Sequence, residues 1–342
     1  MALALVIVGL AGATFSQRAG AAETGASAVG TTDTVEPDTE AAQRQMTPAK
    51  AVVLGVVEGV TEYLPISSTG HLYVTQQLLG VGDTPSTEAP ADSFAIVIQA
   101  GAILAVLVLY RRRIASVFEG LVGRSAEGRT VLVALVVAFL PAAVIGFVFE
   151  DSIKSRLFAA WPIVAAWAVG GIAILLLSDR ISHQQQETQE LDSGGAGSTA
   201  PTLTRGFVGS ALEAITPRQA LIIGVAQAAA MWPGTSRSLV TIVAAVLVGL
   251  SVPAAVEFSF LLGLLTLGAA TAYETLSNGS LLMDSYGGVE IALGLAVAFV
   301  TAAAAVTWMV RWLERRTLAV FGWYRLGIAG VGAALILGGA IK

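Results

Sequence analysis

The 342-residue chain has no cysteine, only two histidines and very little charge. Without cysteine there is no disulfide, no thiolate nucleophile and no Cys-ligated metal. His71 and His183 alone cannot build a multi-histidine metal site within one chain. Charged residues make up 13% of the sequence and hydrophobic residues 55%. Soluble domains average about 25% charged residues, and half that fraction cannot clothe a water-soluble globule of this size. A mean hydropathy of +0.75 agrees. The expected fold class is an all-α integral membrane protein. The net charge of −5, with no basic block, argues against a nucleic-acid partner.

What is present is ordered along the chain. Residues 1–22 resemble a signal peptide: Ala2–Phe15 is apolar, and small residues follow at Ala19-Gly20-Ala21-Ala22. The usual basic start is missing, and an uncleaved anchor is the other reading. Residues 23–50 are polar and poor in large apolar side chains, which predicts a disordered extracytoplasmic tail. Six apolar stretches follow: Phe94–Tyr110, Thr130–Phe149, Leu157–Ser178, Pro253–Tyr273, Ile291–Val310 and Leu318–Ile341. Each meets the roughly 17–25 residues that a spanning helix needs. Arg325 stands near the start of the last, beside Trp323 and Tyr324, and reads as a snorkelling arginine in an interfacial belt.

Arg111-Arg112-Arg113, Arg124 and Arg129 lie between the first two spans, and Arg311, Arg315 and Arg316 between the last two. Basic loops face the cytoplasm, so both termini are expected outside a plasma membrane. Residues 181–206, with His183-Gln184-Gln185-Gln186 and a Ser/Gly run, read as a flexible cytoplasmic linker. It divides a first membrane repeat, 51–180, from a second, 207–342.

Each half opens on an apolar but interrupted segment. The first carries Leu54-Gly55-Val56-Val57-Glu58, then Pro65-Ile66-Ser67-Ser68. The second carries Ile223-Gly224-Val225-Ala226-Gln227, then Pro233-Gly234-Thr235-Ser236, the same order with a one-residue gap. Arms of about a dozen residues, about 18 Å long, fall short of about 30 Å of hydrocarbon. They read as two re-entrant helical hairpins. With three spans per half the second half is inverted, and the broken tips meet inside the protein. Ordinary kinked spans would instead carry Glu58, Glu62, His71 and Arg237 through the bilayer at considerable cost.

Glu58 and Glu62 are spaced to share one helix face, where two anions hold a proton or a hard cation such as Mg²⁺ or Ca²⁺. Ser67, Ser68 and Thr69 follow the first break; they either cap the return helix or present it to an anion. His71 is a general base, a nucleophile or a structural histidine. Arg237 forks onto phosphate oxygens or pairs with a glutamate, and Ser236, Ser238 and Thr241 add hydroxyls. Together these groups describe a membrane-embedded phosphate or diphosphate site. Hydrolysis and transport, as by a secondary transporter or a polyprenyl phosphate flippase, both remain open at this level.

Two runs narrow the choice. Glu58-Gly59-Val60-Thr61-Glu62-Tyr63-Leu64-Pro65-Ile66-Ser67-Ser68-Thr69-Gly70-His71 and Pro233-Gly234-Thr235-Ser236-Arg237-Ser238 resemble the two signatures of the undecaprenyl-diphosphatase (bacitracin-resistance protein) family. The likeness runs from about Lys50 to Lys342, the linker excepted. It implies a membrane phosphatase that removes the terminal phosphate of undecaprenyl diphosphate on the outer face, recycling the lipid carrier of cell-wall synthesis. Carried onto this chain, it implies Glu58 and Glu62 as metal or diphosphate ligands and His71 and Ser68 as candidates for nucleophile or base. Arg237 with Ser236 and Thr241 would bind phosphate, and Ser238, Ser67 and Thr69 join them as candidates. The expected cofactor is a divalent cation, Mg or Ca. Expected partners are the polyprenyl diphosphate substrate, the bilayer and a second copy in a homodimer. Leu239 departs from the family's usual glycine, and Glu257 is expected to make a structural hydrogen bond.

Overall fold

The computed structural model describes residues 36–193, 211–313 and 316–341. The signal-like segment 1–22 therefore lies outside the described residues. Among them the regular structure is helical, with twelve α-helices. In chain order they are α1 Thr39–Gln45, α2 Pro48–Thr61, α3 Ser68–Leu79, α4 Pro85–Leu109, α5 Arg111–Leu121 and α6 Ala126–Leu157. Then come α7 Ala160–Ser193, α8 Pro217–Gln227, α9 Arg237–Leu247, α10 Val252–Ser285, α11 Gly288–Leu313 and α12 Ala319–Leu337. Six of these, α4, α6, α7, α10, α11 and α12, are long and apolar enough to cross a membrane, and each overlaps one of the six expected stretches. Their outer faces expose large apolar side chains such as Val144, Val169, Leu176 and Val300, as lipid-facing surfaces do.

Two expectations need correction. The end of the expected tail is ordered: Asp38 caps α1 by accepting from the Ala41 amide at 2.8 Å, and Ala42 and Met46 are buried in a cluster with Leu54, Phe94 and Tyr286. Gln45 secures the turn after α3, bonding Asp83 at 2.6 Å and the Gly82 amide at 2.9 Å. A short apolar face was enough to dock a segment whose composition is polar. The first part of the expected linker is helical, because α7 continues past Ser178 to Ser193. Its Gln and Glu residues are good helix formers. The remainder, 194–206, lies outside the described residues.

The two interrupted segments are each helix, break, helix. A Thr–Pro pair opens both, Thr47-Pro48 and Thr216-Pro217, each threonine capping the third residue of its helix. Ser67 and Ser236 stand before the return helices, both at φ 74°. Gly80 and Gly249 follow those helices with positive φ. All these pairs keep one constant spacing in sequence. The gap inferred from matching Pro65 with Pro233 is therefore wrong: Pro65 corresponds to Gly234, and Leu64 to Pro233.

Packing is reciprocal across the halves. Helix α2 lies against α11, α8 against α6, and α7 against α12. Small residues permit the close approach: a Cβ on Gly59 would fall 2.4 Å from the Ala298 carbonyl, and one on Gly224 would fall 2.3 Å from that of Ala138. Each broken segment is thus held by a long helix of the other half.

Candidate active site

Helix α2 ends at the site. The Glu62 amide bonds the Glu58 carbonyl at 2.9 Å, so the helical register carries through both glutamates. Glu62 is 7% exposed and Glu58 0%. One Glu62 oxygen, Oε2, accepts from the Ser68 hydroxyl and from Gln99 Nε2, the latter at 3.3 Å. The other, Oε1, accepts from Arg237 at 3.3 Å. The serine at the start of α3, the glutamate at the end of α2 and the arginine at the start of α9 therefore form one cluster. Its members come from both halves of the chain.

Arg237 is fixed further by the Ser259 carbonyl at 3.1 Å and lies 5.6 Å over the Tyr63 ring. Gly263 makes its room, because a Cβ there would fall 2.2 Å from the guanidinium. Gln99 is anchored in turn by Thr271 at 3.4 Å. Gln99 was visible in the sequence as an amide inside an apolar span. Gly263 and Ser259 gave no comparable signal.

Breaking a helix frees carbonyls that must find donors away from water. Here side chains supply them. Ser238 donates to the Leu64 carbonyl at 2.9 Å, with Ser236 at 3.5 Å. Thr241 bonds Ser259 at 2.6 Å and its own helix at the Arg237 carbonyl. Two expected phosphate-binding hydroxyls, Ser236 and Ser238, thus join the two breaks, and the third, Thr241, ties α9 to α10. Ser236 also caps α9 through the Leu239 amide at 3.3 Å, while the Leu239 side chain packs in the core. Ser67 makes no side-chain cap bond. Thr69 is exposed.

Arg325 is a correction to the snorkelling expectation. It is 0% exposed and donates to the Pro65 carbonyl in the first break at 3.4 Å and to the Gly234 carbonyl in the second at 2.8 Å. It also reaches the Ala166 and Trp167 carbonyls on α7, at 2.8 and 3.3 Å. Gly170 leaves space for it, since a Cβ there would fall 2.2 Å from Nη2. Its aromatic neighbours suggested an interface, yet only Trp323 and Tyr324 turn outward. Arg325 sits on the α12 face against α7, where both breaks arrive.

The His71 ring bonds the backbone next to Ser68 and a tyrosine of α12. Nδ1 lies 2.6 Å from the Ser67 carbonyl, so that nitrogen carries a proton. Nε2 lies 2.9 Å from the Tyr324 hydroxyl. The ring stacks on Tyr324 and sits 5.1 Å from Trp167. Glu257, near the start of α10, takes two bonds from Arg113, at 2.7 and 3.4 Å, in keeping with its expected structural hydrogen bond.

Among the described residues no group of three or more His, Asp or Glu residues is arranged as a metal site. The fit for a cation lies instead in Glu58, whose two carboxylate oxygens are both buried without a hydrogen-bond partner among the described residues. Oxygen donors of this kind suit a hard divalent ion.

Residues 51–331 match the family described as Bacitracin resistance protein BacA. The chain is 43% identical over 282 residues to the Undecaprenyl-diphosphatase of Sorangium cellulosum, covering 82% of this chain and 84% of that protein. It is 40% identical over 293 residues to Undecaprenyl-diphosphatase 2 of Rhodospirillum rubrum, covering 86% and 96%. It is 41% identical over 278 residues to Undecaprenyl-diphosphatase 1 of Burkholderia ambifaria, covering 81% and 91%. The match spans most of the chain and includes both broken segments, and the chain therefore belongs to the bacitracin resistance protein BacA family.

Proposed function

We propose that this protein is an integral membrane undecaprenyl-diphosphatase. It hydrolyses undecaprenyl diphosphate to undecaprenyl phosphate and phosphate, which recycles the cell-wall lipid carrier and confers bacitracin resistance. The observation that carries this reading is the Glu62 carboxylate receiving Ser68 from one break and Arg237 from the other. A hydroxyl beside a carboxylate and an arginine is the arrangement that phosphoryl transfer uses.

In this reading Glu62 takes the proton of Ser68 as Oγ attacks the terminal phosphorus. The phosphoanhydride bond breaks, and undecaprenyl phosphate leaves with the bridging oxygen. Water then hydrolyses the phosphoserine, regenerating the hydroxyl. Arg237 neutralises charge on the transferring group. Glu58, with Glu62, would hold a Mg or Ca ion, which supplies positive charge to the diphosphate oxygens when bound. His71, through the Ser67 carbonyl and Tyr324, fixes the strained residue that precedes Ser68.

The purified full-length chain should release phosphate from undecaprenyl diphosphate, lose that activity on exhaustive chelation and regain it with Mg²⁺ or Ca²⁺. Movement of the lipid across liposomes without phosphate release would select a transporter instead.

The two broken segments are re-entrant in this proposal, and residues 51–180 and 207–342 form an inverted repeat. The matched caps and reciprocal packing support it. Basic loops between spans support a plasma-membrane orientation with both termini and the site outside. The native chain lacks cysteine, so a single Val289→Cys probe, at a position 64% exposed, reads orientation cleanly. It should react with an impermeant maleimide in intact cells. Reaction only after permeabilisation would reverse the orientation.

A further inference from the structure

Helix α5 joins two candidate spans, α4 and α6, and so lies at a bilayer surface. Its apolar residues Ile114, Val117, Phe118 and Leu121 recur at helical spacing. Ile114 and Val117 pack on the core, whereas Phe118, Leu121 and the adjoining Val122 are exposed. That division is typical of a helix lying flat in the interface. At its start is a cleft of about 530 Å³ lined by Tyr110, Arg111, Arg112, Arg113, Ser116 and Glu257.

The acids beside this cleft share one arginine, Arg113, and the three together keep one net negative charge. Glu257 takes Arg113 on both oxygens, and Arg113 also pairs with Glu213 at 2.6 Å. Burial would raise the Glu213 carboxyl, but hydrogen bonds from its own backbone and from Arg113 outweigh that and hold it below its usual value. Arg111, by contrast, donates to the Val108 carbonyl at 3.3 Å and has no carboxylate partner among the described residues. Arg112 has no hydrogen bond or ion pair among them. Arg111 and Arg112 turn that remaining negative charge into a net positive charge of one, and the exposed Phe118 and Val122 continue the Arg111 face of α5 along the bilayer surface.

We propose that this cleft binds the phosphodiester of an anionic glycerophospholipid, with the acyl chains lying along Phe118, Leu121 and Val122. A lipid is favoured over a free anion because charge and apolar surface adjoin at the depth where a headgroup sits. Arginine forks match phosphate oxygens, and each basic residue near an anionic lipid surface contributes about fivefold in affinity. The site uses none of the groups assigned to phosphate release.

The test is native mass spectrometry of the full chain taken from vesicles of equal phosphatidylglycerol and phosphatidylcholine. Wild type should retain phosphatidylglycerol selectively. The doubly substituted Arg111→Gln, Arg112→Gln chain should lose that selectivity by roughly twenty-five-fold, two arginines at about fivefold each. Its phosphate release should be unchanged, because Arg113 keeps its partners. Ser116→Glu, which puts a negative charge into the cleft, should lose the lipid as well, and serves if the double variant does not fold. Equal retention of the two lipids by wild type, or undiminished selectivity in both variants, would overturn the proposal. Displacement by millimolar inorganic phosphate would overturn it too, by marking a free-anion site.

Discussion

Phosphate release from undecaprenyl diphosphate is expected to fall by about 10²–10⁴-fold in Glu62→Gln, the range for removal of a positioned general base. Glu62 has two oxygens and three donors: Ser68, Gln99 and Arg237. Glutamine offers one accepting oxygen and turns an NH₂ towards groups that are themselves donors. The Ser68 proton then has no acceptor of sufficient basicity. Arg237 also loses its carboxylate, and a buried charge stripped of its partner costs about 3–5 kcal/mol. Two effects are therefore expected together, a lower rate and a lower melting temperature. Steady-state rates and thermal unfolding in the same detergent separate them. Glu62→Asp keeps the charge on a shorter arm, and it should recover stability more than rate. A Glu62→Gln chain as active as wild type would remove the base from the scheme.

The second large effect is expected at Arg325. In Arg325→Met the Pro65 and Gly234 carbonyls lose their donor, at about 1–3 kcal/mol for each buried group left unpaired. Those carbonyls belong to the two breaks, so their loosening separates Ser68 and Glu62 from Arg237. Melting temperature and phosphate release should both drop, and Arg325→Lys should recover only part of either. An ammonium cannot span carbonyls from three segments as a guanidinium does. Retention of wild-type stability in Arg325→Met would contradict the clamp. Gly170→Ala provides a second test, because its methyl displaces the guanidinium without removing it.

Arg325 also shows where local sequence reasoning stops. Beside Trp323 and Tyr324 it has the appearance of an interfacial residue, and those two neighbours do face outward. Which face of α12 meets α7 depends on packing between helices far apart in sequence, and no window around residue 325 contains that. The membrane spans were legible because hydropathy over some 20 residues is a local property. The breaks were legible because proline, glycine and serine interrupt apolar runs at matching places. Their register was not, since proline drew the alignment while the structural equivalence follows the caps at Ser67 and Ser236.

Among the site residues, Glu58, Glu62, His71 and Arg237 stand out in the sequence as ionisable groups in apolar surroundings. The division of labour among the hydroxyls does not. Ser236, Ser238 and Thr241 look like phosphate ligands in a list of residues. In the fold they answer the carbonyls and neighbours that the breaks leave in need of donors. His71 is by type a base, a nucleophile or a structural histidine, and in the fold its ring meets the Ser67 carbonyl and the Tyr324 hydroxyl.

That contrast between Ser68 and His71 makes the decisive measurement simple. Phosphate release by purified Ser68→Ala should be compared with that of His71→Ala at equal, verified folding. A joint site built on Ser68, Glu62 and Arg237 predicts that Ser68→Ala falls to the uncatalysed rate while His71→Ala keeps measurable activity. Undiminished release by Ser68→Ala, with complete loss in His71→Ala, would contradict it.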